Sequence, residues 1–399
     1  MTALRLGVAG AGIAALQALP QLRQIKDKIR LSALADVRRD NMTFFAERFG
    51  AELAMFESVE AMCASGTIDA VWVATPNNLH AEHIICAARN GLHVICEKPM
   101  AVTLADCQKM VDAVEAAGVK YVQGHSKVYD TPIRKMGEIL HSGALGRVIH
   151  IQTWNWNDWL LRSLAPDEVD TARGTGVVFR QGPHQVDIVR YLAGGMAKSV
   201  RAVAGRFEPH FPDCEGNYTA LIDFDDGAAA TLVFDGYGYF DVSELTWGIG
   251  ESGRRGRNPD SVMPRERSTG PVAPEEKYAL VRAGNPYGYG KGSGWDDTTV
   301  LAPPFFGLTV VTCEKGVLRQ APNGIYVYDE NGRREVPCLP HQGRTGELIE
   351  LYEAVTQDRP TLLDARWGMA TAEVVVAMLT SSRERRDVAL SHQVPAPRV

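Results

Sequence analysis

Residues 4–15 read Leu4-Arg5-Leu6-Gly7-Val8-Ala9-Gly10-Ala11-Gly12-Ile13-Ala14-Ala15. The apolar run predicts a buried β-strand, and the G-x-G-x-x-A pattern that follows it predicts a turn into a helix. Gly10 permits the tight turn, and Gly12 lets the amides around Ile13 and Ala14 approach a pyrophosphate at the helix N-terminus. Small-residue turns also serve packing, so the pattern becomes informative only in its context.

The context is the next predicted strand, Leu31–Ala35, which ends at Asp36. A carboxylate at this point accepts both ribose hydroxyls of adenosine and repels a 2′-phosphate, so the sequence favours NAD over NADP. Taken singly, Asp36 could instead be an acidic cap on the following helix. Arg38 complicates the preference, because a guanidinium there could stack on adenine or accept a phosphate.

The first 125 residues alternate between short apolar runs and stretches with helical spacing. The predicted strands are Leu4–Ala9, Leu31–Ala35, Ala70–Ala74, His93–Cys96 and Tyr121–Gln123, and the clearest helices are Leu79–Asn90 and Leu104–Ala117. Strand–helix alternation with buried strands predicts an α/β fold with a parallel, doubly wound sheet of the Rossmann type. We therefore expect an NAD-binding domain over residues 1–125.

After residue 125 the pattern changes to a helix followed by successive strands. The predicted elements are a helix at Pro132–His141, strands at Val148–Trp156, Ser199–Phe207, Tyr218–Phe224, Ala228–Gly236, Thr309–Arg319 and Ile325–Tyr328, and helices at Thr345–Thr356 and Ala365–Ser382. They predict a C-terminal α+β domain over residues 126–399 with an open, mostly antiparallel sheet. The Gly-, Pro- and Arg-rich insertion at about 250–305 is either a mobile surface segment or a functional or oligomer-forming loop.

Composition argues against several classes of protein. The net charge of −6 gives no basic footprint for nucleic acid or for an anionic membrane. The sequence has no run of 18 apolar residues, so no membrane span is predicted. The N-terminus shows no signal peptide with a charged segment followed by an apolar one. The seven cysteines have no paired spacing, which predicts reduced thiols in a cytoplasmic protein and no zinc or other metal site.

Two further motifs follow predicted strands, at the sheet edge where such folds bind ligands. They are Thr75-Pro76-Asn77-Asn78-Leu79-His80 and Glu97-Lys98-Pro99. Together with the glycine turn, they resemble the glucose–fructose oxidoreductase / inositol dehydrogenase family (Gfo/Idh/MocA) across essentially the whole chain, more weakly over 250–305. The resemblance implies NAD as cofactor and adds cofactor-binding roles for Thr75, Pro76, Asn77, His80, Glu97, Lys98 and His125.

The family's lysine in the Glu-Lys-Pro motif sits beside nicotinamide and substrate, and Lys98 inherits that role. A lysine at the mouth of a mostly apolar site can orient or polarise a hydroxyl oxygen, or shuttle a proton if its pKa is lowered. The alternative is a surface lysine fixed by Pro99.

The second family signature, a glycine-rich turn and helix, corresponds to Gly174–Asp187. His184 falls on the family's catalytic histidine, and Asp187, three residues later, lies on the same face if the segment is helical, where we expect it to contact the substrate. A buried or capping histidine is the alternative reading of His184.

Arg180 departs from this signature, because the family usually has an aspartate there. A guanidinium accepts no hydrogen bond and does not deprotonate, and its natural partner is a carboxylate. We therefore expect Arg180, joined by Arg162 and Arg173, to bind an anionic substrate, with an internal salt bridge as the alternative. Trp156, in the Trp-rich strand, is expected to supply an aromatic wall, although core or interface packing is the alternative for these tryptophans.

Within the family, the chain is similar to the branch that contains phthalate dihydrodiol dehydrogenases. That resemblance implies NAD-dependent oxidation of a carboxylated cis-dihydrodiol to a dihydroxy aromatic acid, by a homodimer or homotetramer formed through the C-terminal sheet. Two alternatives remain. One is a sugar or inositol dehydrogenase whose Arg180 contacts an acidic sugar, and the other is an NAD(H)-binding regulatory protein without turnover.

Overall fold

The computed structural model describes residues 3–124, 127–194, 196–254, 270–285, 302–340 and 343–397. Their strands are β1 (Leu4–Ala9), β2 (Ile29–Ala35), β3 (Ala54–Phe56), β4 (Ala70–Val73), β5 (His93–Glu97), β6 (Tyr121–Gly124), β7 (Val148–Trp156), β8 (Ala197–Gly205), β9 (Asn217–Phe224), β10 (Ala229–Asp235), β11 (Leu308–Cys313), β12 (Gly316–Ala321), β13 (Gly324–Asp329), β14 (Gly332–Pro337) and β15 (Val388–Ala389). The helices are α1 (Ile13–Gln17), α2 (Leu19–Gln24), α3 (Arg39–Phe49), α4 (Val59–Ala64), α5 (His80–Arg89), α6 (Leu104–Ala117), α7 (Thr131–His141), α8 (Gly176–Ala193), α9 (Pro274–Arg282), α10 (Gly343–Thr356) and α11 (Ala365–Glu384).

The chain divides into two compact units. The first comprises Met1–Gly124, Glu275–Thr298 and Arg344–Ala372, and the second comprises His125–Pro274, Thr299–Gly343 and Glu373–Val399. The sequence prediction places one boundary near residue 125, and the two later segments of the first unit carry no local pattern that assigns them to it. They supply α9 and α10, which matter for the site.

The first unit is built on a parallel six-stranded sheet with the order β3-β2-β1-β4-β5-β6. This is the doubly wound sheet that the strand–helix alternation predicts, and that prediction is confirmed. The strands are buried almost throughout, because helices cover both faces of such a sheet. The short strand β3 and helix α4 were not predicted, since three half-buried residues give little periodic signal.

The second unit contains a nine-stranded sheet with the order β14-β13-β12-β11-β7-β10-β9-β8-β15. Within this second sheet, as far as the structure describes it, β7–β10 is the only parallel pair, so the predicted open, mostly antiparallel sheet is confirmed. The predicted strand at Thr309–Arg319 is in fact two, β11 and β12, joined by a tight turn at Glu314 and Lys315. Strands β14 and β15 were not predicted.

Helix α8 packs on one face of the second sheet, against β7, β9 and β10. The side chains of β7 alternate between the two faces of the sheet. Ile151, Thr153 and Asn155 are buried on the α8 side, whereas Trp154 and Trp156 point to the opposite face. We call that opposite face, with its half-buried side chains, the outer face. In the described parts of the chain, no helix is long and apolar enough to cross a membrane.

Candidate active site

The glycine turn after β1 fits a dinucleotide. Gly10 has a φ of +94°, and a Cβ at this residue would lie 2.6 Å from the carbonyl oxygen of Ala74, so only glycine is accommodated. At Gly12, by contrast, a Cβ would meet nothing within 4 Å. The backbone therefore borders open space at Gly12, where α1 begins with Ile13 and Ala14, and this is where a pyrophosphate needs close approach.

Asp36 is held beside this turn by the backbone. Its carboxylate accepts hydrogen bonds from the N–H of Ala11 (2.9 Å) and from the N–H of Arg38 (2.8 Å). The acidic group that would receive ribose hydroxyls is thus fixed next to the glycine loop, as the spacing predicts. Asp36 is not the N-cap of the following helix, because that position in α3 is occupied by Arg38.

Arg38 is engaged by the insertion. Its guanidinium carbon lies 4.0 Å from the centre of the Tyr278 ring on α9, and its pKa is raised, chiefly by a hydrogen bond to Tyr278. Two residues later, Asp40 accepts a 2.8 Å hydrogen bond from Arg282 of the same helix. The described part of the insertion therefore contacts the chain directly after Asp36.

His80 joins the two ligand-edge motifs. Its Nε2 lies 2.8 Å from the carbonyl oxygen of Thr75, and its Nδ1 lies 2.9 Å from the carbonyl oxygen of Pro99. The side chain is 0% exposed, and burial lowers the pKa of its imidazole. His80, predicted to bind the cofactor, is thus buried in the structure and connects one loop to the other.

The rest of the first motif and Lys98 lie on the same edge. Pro76 precedes a 3-10 turn at Asn77–Leu79, and the hydroxyl of Thr75 lies 2.9 Å from Nδ1 of His83. Lys98 is half-buried directly after β5, with a cis peptide bond to Pro99. The predicted cofactor-edge residues of this unit are thus brought together around two loops.

Glu97 belongs to a buried ionic cluster. Its Oε1 lies 2.6 Å from Nη1 of Arg344, which is also 2.9 Å from Oε1 of Glu347, and the guanidinium stacks on the Trp72 ring at 4.8 Å. Burial raises the pKa of Glu347 well above that of an ordinary glutamate. Glu97, predicted to bind the cofactor, thus has a side chain whose ion pair anchors the backbone next to Lys98.

Helix α8 positions the predicted catalytic histidine. Its Gln185 donates hydrogen bonds to the carbonyl oxygens of Thr153 (3.2 Å) and Val233 (3.1 Å) and accepts one from the Tyr218 hydroxyl (2.6 Å). This anchors the helix to three strands next to His184, which is buried with its ring 4.8 Å from that of Phe306.

Arg180, His184 and Asp187 occupy one face of α8, at i, i+4 and i+7. Asp187 is completely buried, whereas Arg180 is partly exposed. Arg180 Nη2 lies 3.5 Å from Oε1 of Glu168, so the salt bridge held open as an alternative is present. At this length the ion pair is loose, and a substrate carboxylate could compete for the guanidinium.

The other two predicted arginines differ from Arg180. Arg162 forms a 3.2 Å ion pair with the buried Asp158, which neutralises it within the chain. Arg173 is exposed at the end of a 3-10 turn, Thr171–Arg173. Neither occupies the α8 face that carries His184.

The expectation for Trp156 needs correction. It lies on the outer face of the sheet, edge-to-face with Trp154 (6.3 Å) and Phe240 (5.8 Å), whereas α8 and His184 lie on the other face. Because side chains alternate along a strand, Trp156 cannot form a wall beside His184 in the same chain.

Sequence reasoning missed Lys127, whose Nζ lies 5.8 Å from the ring of Phe306, the residue that contacts His184. Lys127 also lies 4.0 Å from Asp130 and 3.7 Å from Glu251. Its position just after β6, at the carboxyl end of a parallel strand, is the signal that could have found it. His125, predicted in the same stretch, lies outside the described residues, and within those residues no group of three acidic, His or Cys side chains could hold a metal.

Both units resemble known proteins. Residues 4–125 match the family described as "Oxidoreductase family, NAD-binding Rossmann fold", and residues 133–243 match the "GFO/IDH/MocA C-terminal domain". The chain is 32% identical over 387 residues to the 1-carboxy-3-chloro-3,4-dihydroxycyclohexa-1,5-diene dehydrogenase of Comamonas testosteroni, covering 95% of each. It is 31% identical over 202 residues to the myo-inositol 2-dehydrogenase of Thermotoga maritima, covering 50% of this chain and 58% of the relative. A solved structure from Bordetella bronchiseptica RB50 matches with a TM-score of 0.86 and 34% identity, covering 97% of this chain and 100% of that one.

Proposed function

The chain belongs to the Gfo/Idh/MocA family of NAD-binding oxidoreductases, and we propose that it oxidises a carboxylated cis-dihydrodiol of the phthalate type to a dihydroxy aromatic acid. The observation that carries this proposal is the placement of Arg180 one helical turn before His184 on the same face of α8. A cation one helical turn from a proton-accepting imidazole suits a substrate whose carboxylate and hydroxyl lie on one ring. The Comamonas relative supports the same substrate class, since its name describes a carboxylated cyclohexadiene diol.

NAD, when bound, supplies the oxidation by accepting a hydride at C4 of its nicotinamide ring. The chain's part is proton transfer and orientation. His184 takes the proton from the hydroxyl oxygen as the same carbon loses its hydride and becomes a carbonyl carbon. The resulting hydroxy-dienone then moves a ring proton to oxygen and becomes a catechol, and the aromaticity gained draws the reaction forward.

Lys98 assists in this proposal by polarising the reacting hydroxyl. Its backbone is held by two structural contacts of neighbouring residues, namely the Glu97–Arg344 ion pair and the Pro99–His80 hydrogen bond. Fixing the backbone in this way sets the point from which the lysine side chain would reach the hydroxyl oxygen. Asp187, buried on the His184 face of α8, is the acid that would orient the imidazole.

A sugar or inositol dehydrogenase is the second candidate. Glu168, 3.5 Å from Arg180, reduces the positive charge of the α8 face, which would favour a neutral polyol over a dianion. The Thermotoga relative acts on inositol by name, although it matches only half of this chain.

The deciding experiment mixes purified protein and NAD with cis-dihydrodiols of phthalate, benzoate and benzene, and with inositol, glucose and galacturonate. Formation of NADH is followed by absorbance near 340 nm. We expect NAD to be reduced with the carboxylated dihydrodiols and hardly at all with the benzene dihydrodiol or the neutral sugars. Equal or faster reduction with sugars would overturn the substrate assignment.

We also propose that copies of the chain associate through the outer face into a homodimer or homotetramer. Two tryptophans of β7 lie on this face, and Arg319 stacks there on Trp247 (5.4 Å) and Tyr326 (4.9 Å). Aromatic and arginine side chains of this kind are enriched at protein interfaces. The seven free cysteines are consistent with the cytoplasmic location that we propose for the enzyme.

A further inference from the structure

Helix α9 contacts the segment that follows Asp36 through two side chains. Tyr278 stacks on the guanidinium of Arg38 at 4.0 Å, and Arg282 donates a 2.8 Å hydrogen bond to Asp40. Tyr278 and Arg282 are four residues apart on the helix, so one face of α9 makes both contacts. The adjacent Val281 is buried, as expected for a helix that packs against the rest of its unit.

Arg38 occupies a position of known consequence in such folds. The ribose of a bound dinucleotide lies at the acid that ends the second strand, and an arginine close to that acid is the usual ligand for a 2′-phosphate. Here the N–H of Arg38 is bonded to Asp36 itself, so the guanidinium extends from the turn that would hold the ribose. Whether the guanidinium is available to bind a 2′-phosphate depends on the other side chains that contact it.

We propose that α9 is part of the adenosine subsite, in which Tyr278 holds Arg38 as a flat wall for the adenine ring and withholds it from a 2′-phosphate. The ligand class is therefore an adenosine with a free 2′-hydroxyl. Asp36 repels a 2′-phosphate, and Tyr278 denies that phosphate the cation that could offset the repulsion. This inference concerns the cofactor site alone and is independent of which diol or polyol is oxidised.

The stacking geometry gives the proposal its physical basis. A guanidinium between an aromatic ring and adenine uses both of its faces, and cation–π contacts are strongest when water is excluded from them. Without Tyr278 the long arginine side chain regains its rotamers and can turn its N–H groups towards a phosphate. Removing the ring should therefore weaken adenosine binding and strengthen 2′-phosphate binding.

The test is calorimetric titration of the full-length protein with adenosine 5′-monophosphate and with adenosine 2′,5′-bisphosphate. Wild type should prefer the monophosphate. In Tyr278→Ala the preference, expressed as the ratio of the two dissociation constants, should fall by about 3- to 30-fold, the range that corresponds to a partly desolvated cation–π contact. Arg282→Ala, an exposed change that loosens the same helix, should shift the ratio in the same direction by less.

Two comparisons make the test decisive. Phe44→Ala removes a cation–π pair with Arg48 (5.3 Å) elsewhere in the same unit and should leave the ratio unchanged. In Arg38→Ala, adding Tyr278→Ala should have no further effect, because the ring acts through the guanidinium. A wild-type ratio in both Tyr278→Ala and Arg282→Ala, with an unchanged melting temperature, would overturn the proposal.

Discussion

Nη1 of Arg344 lies 2.6 Å from Oε1 of Glu97, although Glu97 belongs to the first quarter of the sequence and Arg344 to the last. The same nitrogen is 2.9 Å from Glu347, so one guanidinium faces two buried carboxyl groups. Charge balance in a buried cluster of this kind favours one neutral carboxyl group, and because burial raises the pKa of Glu347 we expect that residue to be the protonated one. The residue before the proposed catalytic lysine is thus held by a cluster with little net charge.

Removal of Arg344 should be far more damaging than neutralisation of Glu347. Arg344→Met leaves Glu97 without its counter-charge in the interior, and we expect a loss of roughly 3–5 kcal/mol of unfolding free energy. Glu347→Gln resembles the protonated acid and should cost less than about 1 kcal/mol. Denaturant unfolding followed by circular dichroism measures both. Similar losses in the two variants would contradict a protonated Glu347.

Asp130 should make stability depend on pH. Burial raises its pKa to about 7; Lys127 lies 4.0 Å away, and the N–H of Gly343 donates to Oδ1 at 2.8 Å. The folded state then binds a proton that the unfolded chain releases near pH 4, so this contribution to stability is present at low pH and is lost as pH rises to about 7.

Asp130→Asn abolishes that titration. Its unfolding free energy relative to wild type should therefore rise between pH 5 and pH 7, by about 1.4 kcal/mol per pH unit at most, and level off above pH 7. The exposed Asp225→Asn is the matched control, and its difference from wild type should stay flat. A flat difference for Asp130→Asn as well would show that its carboxyl group is ionised throughout.

Arg180 and Glu168 should have opposite effects on catalysis if a substrate carboxylate competes for the guanidinium. Arg180→Gln should lower kcat/KM for a carboxylated dihydrodiol by roughly 10–100-fold, as expected for a lost charged hydrogen bond of about 1.5–3 kcal/mol. Glu168→Gln keeps an oxygen for the N–H of Ala165, now bonded at 2.9 Å, and should lower KM. Lower stability of Arg180→Gln with unchanged kinetics would instead indicate a purely structural ion pair.

The outer face should govern assembly. Leu221 of β9 is 42% exposed there, so Leu221→Glu should leave the fold of one chain intact while placing a charge in an apolar interface. We expect a smaller species by size-exclusion chromatography with light scattering. Leu339→Glu changes a leucine that is 76% exposed beyond the end of β14, outside the strands of the sheet, and serves as control. If both variants keep the wild-type mass, the interface lies elsewhere.

Local chemistry allowed much of the first unit to be predicted. Gly10, Gly12 and Asp36 take the positions that strand and turn patterns specify, because each is fixed by backbone geometry within a short stretch. The partner of Arg38 was not predictable, since Tyr278 belongs to an insertion with little periodicity. Arg344 likewise carries no signal in its own neighbourhood that relates it to Glu97.

Trp156 was misread for a physical reason. Hydrophobicity alone puts the tryptophans of β7 on the covered face, but the covered face carries Thr153 and Asn155. Thr153 can be buried there because Gln185 of α8 donates to both its carbonyl and its hydroxyl oxygen, each at 3.2 Å. A hydrogen-bonded polar pair thus reversed the face that apolar content alone indicates.

The first unit takes Arg344–Ala372 from the last part of the chain, and this affects how the protein is made. On the ribosome, the dinucleotide-binding residues emerge well before the guanidinium that neutralises Glu97, so the nascent first unit must wait, incomplete, for most of the remaining chain. A chimaera that exchanged only residues 1–125 with a relative would likewise combine the relative's residue at position 97 with Arg344 of this chain. Recombination between relatives that differ at either position should therefore be tolerated best when both segments are inherited from one parent.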